Sequence, residues 1–452
     1  MISELYQKVL ENELGRARYL LLLMIVGTLQ ILKQAKLEIL AEALPIPILF
    51  ESRRKKLKRF LKLEILNIEK IWFPVLKEML KQQQRFTTKG LAYIAIDRTS
   101  WGAINILMVS LIYDKRAMPI YWEILDKKGS SNLEEQQRVL EKTLTVLSGH
   151  KIVVLGDREF CSVSLGKWLQ KQSLYFCLRQ KKSTNVKTKE GIYQEMRALG
   201  LSPGTKLFLN DVNVTKEQGF GEFNFNLAGK WKKTYRGFKT KEPWYILTNF
   251  GDLETAIMAY QKRFDIEEMF RDFKSGGYSL EGSQLAPKYL SKLIIVIAIA
   301  YTSATLQGKK IKDMGIQKYV TRPEKRYKGQ RRHSSFYVGQ HLYHWLLNIF
   351  SRSLIGLIGT QQQATLFQIG APLGVGFDLQ FFSLFLPHTQ SSNNAIDTPF
   401  AATRCATTCG HKKIPLSGLT CSSRCFRTTS SIPANVFTCS GSVSSDNKAA
   451  IA

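Results

Sequence analysis

The chain has 452 residues, 44% of them hydrophobic and 11% aromatic, which is enough apolar material for two or three packed domains and excludes global disorder. Lys and Arg number 65 against 36 Asp and Glu, and the formal net charge of +29 points to a polyanionic partner, nucleic acid before anionic membrane. The longest apolar run, Tyr19 to Leu32, is broken by Gly27, Thr28 and Gln30, falls short of the ~20 residues of a membrane span and carries no signal-peptide cleavage site. The sequence therefore predicts a cytoplasmic protein with no membrane partner.

Residues 1–88 read as helical. Leu37–Leu44 forms a short amphipathic helix that Pro45 and Pro47 break, and a second helix starts near Glu51 or Ser52 with Ser52 as its cap. That second helix carries Arg53, Arg54, Lys55, Lys56, Lys58, Arg59 and Lys62 outside, with Leu57, Phe60 and Leu61 inside. Short helix, turn and basic helix make the layout of a helix-turn-helix DNA reader, although a basic run by itself is more often a solvated face or a phosphate anchor.

From Gly90 the period becomes that of strands. Leu91–Asp97 is an apolar strand ending in a carboxylate, and Asn105–Tyr113 and Met118–Ile124 form a hairpin around Asp114–Arg116. Leu133–Leu147 is a helix with cap candidates Ser130, Ser131 and Asn132. Lys151–Asp157 is a second apolar strand ending in Asp, followed by a helix over Val163–Gln172 and a strand over Leu174–Leu178. This order predicts a mixed α/β sheet. Residues 181–249 are basic, aromatic and alternating (Leu207–Leu209, Phe223–Asn226, Trp244–Thr248) and read as a β-rich insertion. Leu290–Leu306 and Val338–Phe350 are apolar helices suited to covering the sheet.

Beyond residue 350 the pattern stops. No Glu follows Glu324, Ser and Thr abound, and residues 351–452 read as a poorly ordered tail whose one apolar stretch is Phe377–Leu386. Cys405-x3-Cys409 and Cys421-x3-Cys425, with His411 between them, loosely imitate a zinc site. No hydrophobic periodicity surrounds them, so free thiols are expected there and at Cys439. Cys161 and Cys177 read as buried thiols.

The most informative segment is Tyr260 to Lys274. At about 100° per residue, positions 260, 263, 267 and 274 of one helix fall within a sector of roughly 60°. Tyr260, Arg263, Glu267 and Lys274 would share a stripe, with Ile266, Met269, Phe270 and Phe273 behind it. If the strands ending in Asp97 and Asp157 are neighbours, Glu267 can join them. Three crowded carboxylates call for a dication, and hard oxygen ligands favour Mg²⁺ or Mn²⁺. Two such ions would activate a hydroxyl and stabilise the leaving oxygen of a phosphodiester.

Tyr260-x2-Arg263-x3-Glu267-x6-Lys274, with Asp97 in Ile96-Asp97-Arg98-Thr99 and Asp157 in Gly156-Asp157-Arg158, resembles the DDE transposases of bacterial insertion sequences, in particular the insertion-sequence-four type. The similarity runs over residues 30–347. It implies a ribonuclease-H-like catalytic domain over 89–350 with its insertion near 181–249, preceded by a helical DNA-binding domain over 1–88. By the same resemblance Asp97, Asp157 and Glu267 are the catalytic metal ligands for two Mg²⁺ ions, replaceable by Mn²⁺. Tyr260, Arg263 and Lys274 hold terminal phosphates, and Trp244 stacks on a flipped base, with Trp231 as a weaker substitute. The implied activity is cut-and-paste transposition by a homodimer in a synaptic complex with double-stranded DNA, at the nucleoid of a bacterial cytoplasm. Arg98 departs from the small residue often found after the first Asp. A degenerate DNA-binding copy and a nuclease that cuts without joining are the alternatives.

Overall fold

A computed structural model describes residues 4–82, 86–88, 90–187, 191–214, 225–235, 238–323 and 332–355. The chain divides into two units, Met1–Pro387 and His388–Ala452, and every described residue belongs to the first. The tail cysteines, His411 and Phe377–Leu386 lie outside the described residues, as does the Phe223–Asn224 part of an expected strand.

Helices α1 (Glu4–Leu14), α2 (Arg16–Leu32), α3 (Leu37–Ala43) and α4 (Phe50–Lys62) lead to a π-helical turn, Ile68–Trp72, that runs into α5 (Phe73–Gln82). In α4 the expected apolar side, Leu57, Phe60 and Leu61, is buried. The expected Ser52 cap is not formed. α4 starts at Phe50 after Leu49, which gives no side-chain cap, so Ser52 already sits inside the first turn.

The sheet strands follow: β1 (Leu91–Trp101), β2 (Ile104–Tyr113) and β3 (Arg116–Ile124), then α6 (Leu133–Leu144), β4 (Lys151–Gly156), α7 (Val163–Lys171) and β5 (Tyr175–Arg179). Asn132 caps α6 in a capping box with Glu135. Beyond β5 lie the hairpin β6 (Asn185–Lys187) and β7 (Tyr193–Glu195), then β8 (Lys206–Val212), β9 (Phe225–Lys230), the small pair β10 (Thr234–Tyr235) and β11 (Phe238–Lys239), and β12 (Trp244–Thr248). The main sheet has eight strands in the order β3-β2-β1-β4-β5-β12-β9-β8. β1, β2 and β3 pair antiparallel, and β4 and β5 run parallel to β1. The mixed α/β sheet is as the sequence predicts.

One difference from the sequence expectation concerns residues 181–249. Their longer strands do not build a separate β module. β12 pairs antiparallel with β5, and β9 and β8 extend the same sheet beyond it. The alternating pattern is the same in both arrangements, but β5 would otherwise leave a row of unpaired backbone groups, and β12 takes them up.

After β12 come α8 (Leu253–Gln261), α9 (Phe264–Phe273), α10 (Pro287–Asp313), the short α11 (Gln317–Val320) and α12 (Ser335–Ile355). α10 runs longer than the sequence suggests. It is long and apolar enough to cross a membrane, but most of its apolar window is buried in the protein. α2 and α12 pack on it. Gln30 of α2 donates to the Ala300 carbonyl at 2.6 Å and accepts from the Tyr278 hydroxyl at 3.1 Å. α10 and α12 cross closely at Gly308 and Gly339, where a Cβ would lie 1.8 Å from the Ser335 and Ala304 carbonyl oxygens respectively. Trp72 donates to the Pro119 carbonyl of β3 at 2.9 Å. The helices before β1 thus share one hydrophobic core with the sheet.

Candidate active site at the ends of the parallel strands

The parallel ladder of β1 and β4 ends at the pair Ile96↔Gly156, so the next residues on the two strands, Asp97 and Asp157, emerge side by side. Asp157 follows the last residue of β4 and caps a 3-10 turn, Arg158–Phe160, with its Oδ1 accepting from the Glu159 amide at 2.8 Å. Gly156 is required at that strand end, because a Cβ there would meet Phe160 Cβ at 2.8 Å and Leu178 Cδ2 at 2.9 Å. Asp97, in contrast, does not end its strand. β1 continues to Trp101, because β2 goes on pairing with it as far as Trp101↔Ile104 after β4 has stopped.

Alternate residues of β1 face opposite sides of the sheet. Thr99 and Trp101, on the Asp97 side, line a small cavity with Phe270, Phe273 and Lys274, which identifies the α9 side as the face of Asp97. Arg263 joins the acids. Its Nη1 lies 3.3 Å from Asp97 Oδ2, and its Nη2 donates to Glu267 Oε1. The Arg263 side chain is 5% exposed, that of Asp97 13%, and that of Glu267 52%, so Glu267 faces solvent from the rim of the site.

The single-helix stripe expected for residues 260–274 is not what forms. α8 ends at Gln261 and α9 begins at Phe264, with the turn between them tightened by bonds from Lys262 N to Ala259 O and from Arg263 N to Tyr260 O, each 3.0 Å. The tight turn swings Tyr260 into the core, fully buried and edge-on to Trp244 at 5.2 Å between ring centroids. Ile266, Met269, Phe270 and Phe273 form the buried back as expected. Lys274, just past α9, donates to the Ser100 carbonyl at 3.3 Å, pairs with Glu281 at 2.9 Å and lies over the Trp101 ring at 5.1 Å. α9 itself is fixed by Arg116 at the start of β3, whose Nε lies 2.9 Å from Asp272 Oδ2 and whose Nη1 lies 3.4 Å from Glu268.

Burial pushes the Asp97 carboxyl up to about 7 from its ordinary 3.8; Arg263 pulls it down, and the charges of Asp157 and Glu267 push it up. For Arg263, burial acts to lower the pKa, but Tyr260, Asp97 and Glu267 more than offset it and the net direction is upward. Asp97 therefore feels the charge of both other acids, and the Arg263 guanidinium does not offset its burial. Among the described residues, no three His, Cys, Asp or Glu side chains come close enough together to hold one ion. The donor chemistry, all carboxylate oxygen short of positive charge, nevertheless fits a hard divalent cation.

Trp244 opens on one side to a cleft of about 440 Å³, which it lines together with Lys115, Arg116, Lys232, Phe264 and Arg332. Lys232 Nζ lies 5.0 Å above the Trp244 ring. Trp231, the weaker candidate, donates to the Thr240 carbonyl at 3.3 Å. On α4, Lys55, Lys56, Lys58 and Arg59 are exposed. Arg53 is instead a brace, donating to the carbonyls of Ala41 at 2.7 Å and Ile48 at 3.1 Å, and Arg54 pairs with Glu51 and Glu38. Cys177 is buried, and burial pushes its thiol up to about 12; Cys161, expected to be buried, is only partly so, in the turn before α7.

Glu159 is nearly silent in the sequence. Its only signal was a second acid two residues after Asp157, and its partner Arg98 lies 61 residues earlier.

Residues 93–302 match the family described as the transposase DDE domain. That segment runs from β1 into α10 and holds Asp97, Asp157 and Glu267 together with Tyr260, Arg263 and Lys274. No curated protein matches the chain. Among solved structures, a piggyBac transposase synaptic complex with hairpin DNA aligns with a TM-score of 0.32 and 13% identity, covering 69% of this chain. The chain spans 63% of the length of that one.

Proposed function

We propose that this protein is a DNA transposase that binds the inverted-repeat ends of an insertion sequence, cuts them and joins them to target DNA. The reading is carried by the coincidence of the transposase DDE match with the register that sets Asp97 beside Asp157 while Arg263 spans Asp97 and Glu267. Asp97, Asp157 and Glu267 would hold Mg²⁺, with Mn²⁺ as a substitute. When bound, two such ions supply Lewis acidity to the attacking and leaving oxygens of a phosphodiester.

The chain's own residues have separable tasks. Arg263, buried against Phe264 and Tyr260, holds Asp97 and Glu267 with its planar guanidinium and is the cation that a phosphate oxygen beside the scissile bond would meet. Tyr260 shapes that pocket from within the core. Lys274 offers a point charge at the end of β1, and Trp244 a ring face for a displaced base over the basic cleft. The exposed cations of α4 anchor flanking duplex through its phosphates. Two copies would act together, one on each transposon end, at the nucleoid where the substrate lies.

The experiment is cleavage of a labelled transposon end with Mg²⁺. Asp97→Ala, Asp157→Ala and Glu267→Ala each abolish cutting and leave end binding in place. Near-normal cutting by any of them removes that residue from the metal set. Cutting by the intact protein without strand transfer to a target would identify a nuclease instead.

A further inference from the structure

We infer that Arg98 and Glu159 form a positioning pair that sets the spacing of Asp97 and Asp157 from the opposite face of the sheet. The inference rests on the reading of those two aspartates as metal ligands. Arg98 follows Asp97 on β1 and so points away from α9, to the face where α6 packs on β2 and β3. Glu159 lies two residues after Asp157, in the 3-10 turn that Asp157 caps. Arg98 Nε meets both carboxylate oxygens of Glu159, at 3.1 and 2.9 Å. The two segments that carry the aspartates are thereby tied by a charged bond behind the site.

The pair is built into its surroundings. The side chains are 20% and 14% exposed. Arg98 Nη1 donates to Asn105 Oδ1 at 2.9 Å, and Asn105 in turn donates to the carbonyls of Lys127 at 2.7 Å and Gly129 at 3.1 Å. Ser131 donates to Glu159 Oε1 from both its amide and its hydroxyl, each at 3.0 Å. Both Glu159 oxygens thus accept from these neighbours, which turns its carboxylate to Arg98 and Ser131 and separates it from Asp157 despite their near adjacency. Arg98 likewise commits its Nε and Nη1 to Glu159 and Asn105 and points away from the α9 face. What remains for the pair is alignment. A planar fork bridging Glu159 and Asn105 fixes both partners where a lysine could reach only one, and second-layer partners of metal ligands typically matter by ~10–100-fold in affinity or activity.

The test uses the full-length protein with Glu159→Gln, Arg98→Gln, the double variant, Arg98→Lys and Ser131→Ala. Four quantities are read: Mn²⁺ binding to the DNA-free protein by electron paramagnetic resonance, single-turnover cleavage of pre-bound ends, end-binding affinity and thermal melting. Glu159→Gln is expected to weaken Mn²⁺ binding and slow cleavage by about 10–100-fold, with end affinity within about twofold of wild type. The double variant should be no worse than either single, because both act through one bond. Ser131→Ala, which keeps the ion pair, should lose less in the same direction, and this arm survives if the Gln variants fail to fold. Wild-type Mn²⁺ affinity in folded Glu159→Gln overturns the inference while leaving the transposase reading standing. An intact protein that never cuts ends, yet loses Mn²⁺ on Glu159→Gln, overturns the transposase reading and sustains the pair.

Discussion

Replacing Asp97 by Asn separates the charge of the site from its shape. Asp97 titrates at about 7 in the folded protein against 3.8 ordinarily, chiefly because it is buried. Between those values the folded chain keeps a proton that the unfolded chain has released, so stability falls as pH rises through the window. The gap is worth about 4 kcal/mol at roughly 1.4 kcal/mol per pH unit. Asn has no proton to lose and preserves the shape. In chelator, the variant and the wild type should melt together near pH 4. They should diverge above it until the variant is ahead by up to ~4 kcal/mol at pH 8, several degrees in Tm for a chain of this size. Added Mg²⁺ or Mn²⁺ at pH 8 should stabilise the wild type and not the variant, because binding to the folded state alone shifts the equilibrium. Melting curves at five or six pH values decide the matter. Parallel pH dependences, or a gap already full at pH 4, would refute a buried carboxyl short of positive charge.

Three further outcomes follow from the geometry. Replacing Lys55, Lys56, Lys58 and Arg59 by Ala should reduce the salt dependence of end binding by ~0.9 in log–log slope for each phosphate no longer neutralised, whereas Arg53→Ala should lower Tm and leave the slope alone, since Arg53 is spent on the Ala41 and Ile48 carbonyls; an unchanged slope in the fourfold variant removes α4 from the DNA interface. Gly156→Ala drives a methyl into Phe160 and Leu178, so it should cost ~1–3 kcal/mol and displace Asp157, lowering cleavage in the stable fraction measured by single turnover. Trp244→Ala strips the partner of Tyr260 and Phe264 and should cost ~2–4 kcal/mol in chemical denaturation, with Trp244→Phe costing less; an Ala variant as stable as wild type would show that the ring does no packing.

The sheet was legible because its signals are local. Apolar runs over Leu91–Ile96 and Lys151–Gly156 read as strands, and an Asp after each marks the same end once they run parallel. The geometry of Arg263 was not legible, because nothing between Gln261 and Phe264 is Gly or Pro. The helical period runs unbroken through a turn that burial of Arg263 against Asp97 makes visible only in three dimensions. Strand partners are similarly hidden: Trp244–Thr248 alternates as any strand does, and its place beside β5 is fixed by residues 177–179. Arg98 looked like an oddity because the residue that explains it, Glu159, is distant in sequence.

α10 carries a liability that the folded protein conceals. An 18-residue stretch of it is apolar enough for a bilayer-inserting segment, and in the folded protein most of that stretch is buried, with α2 and α12 packed against the helix. α2 is synthesised some 270 residues before the carbonyl of Ala300 that its Gln30 grips. During synthesis, then, the early helices must remain available while the sheet is made, and α10 emerges as an unshielded greasy rod until they dock. A version of this protein shortened at its front would not leave the sheet and its later helices as a self-contained unit. It would expose one flank of α10 to water, to other chains and to lipid, and its first observable defect would be insolubility.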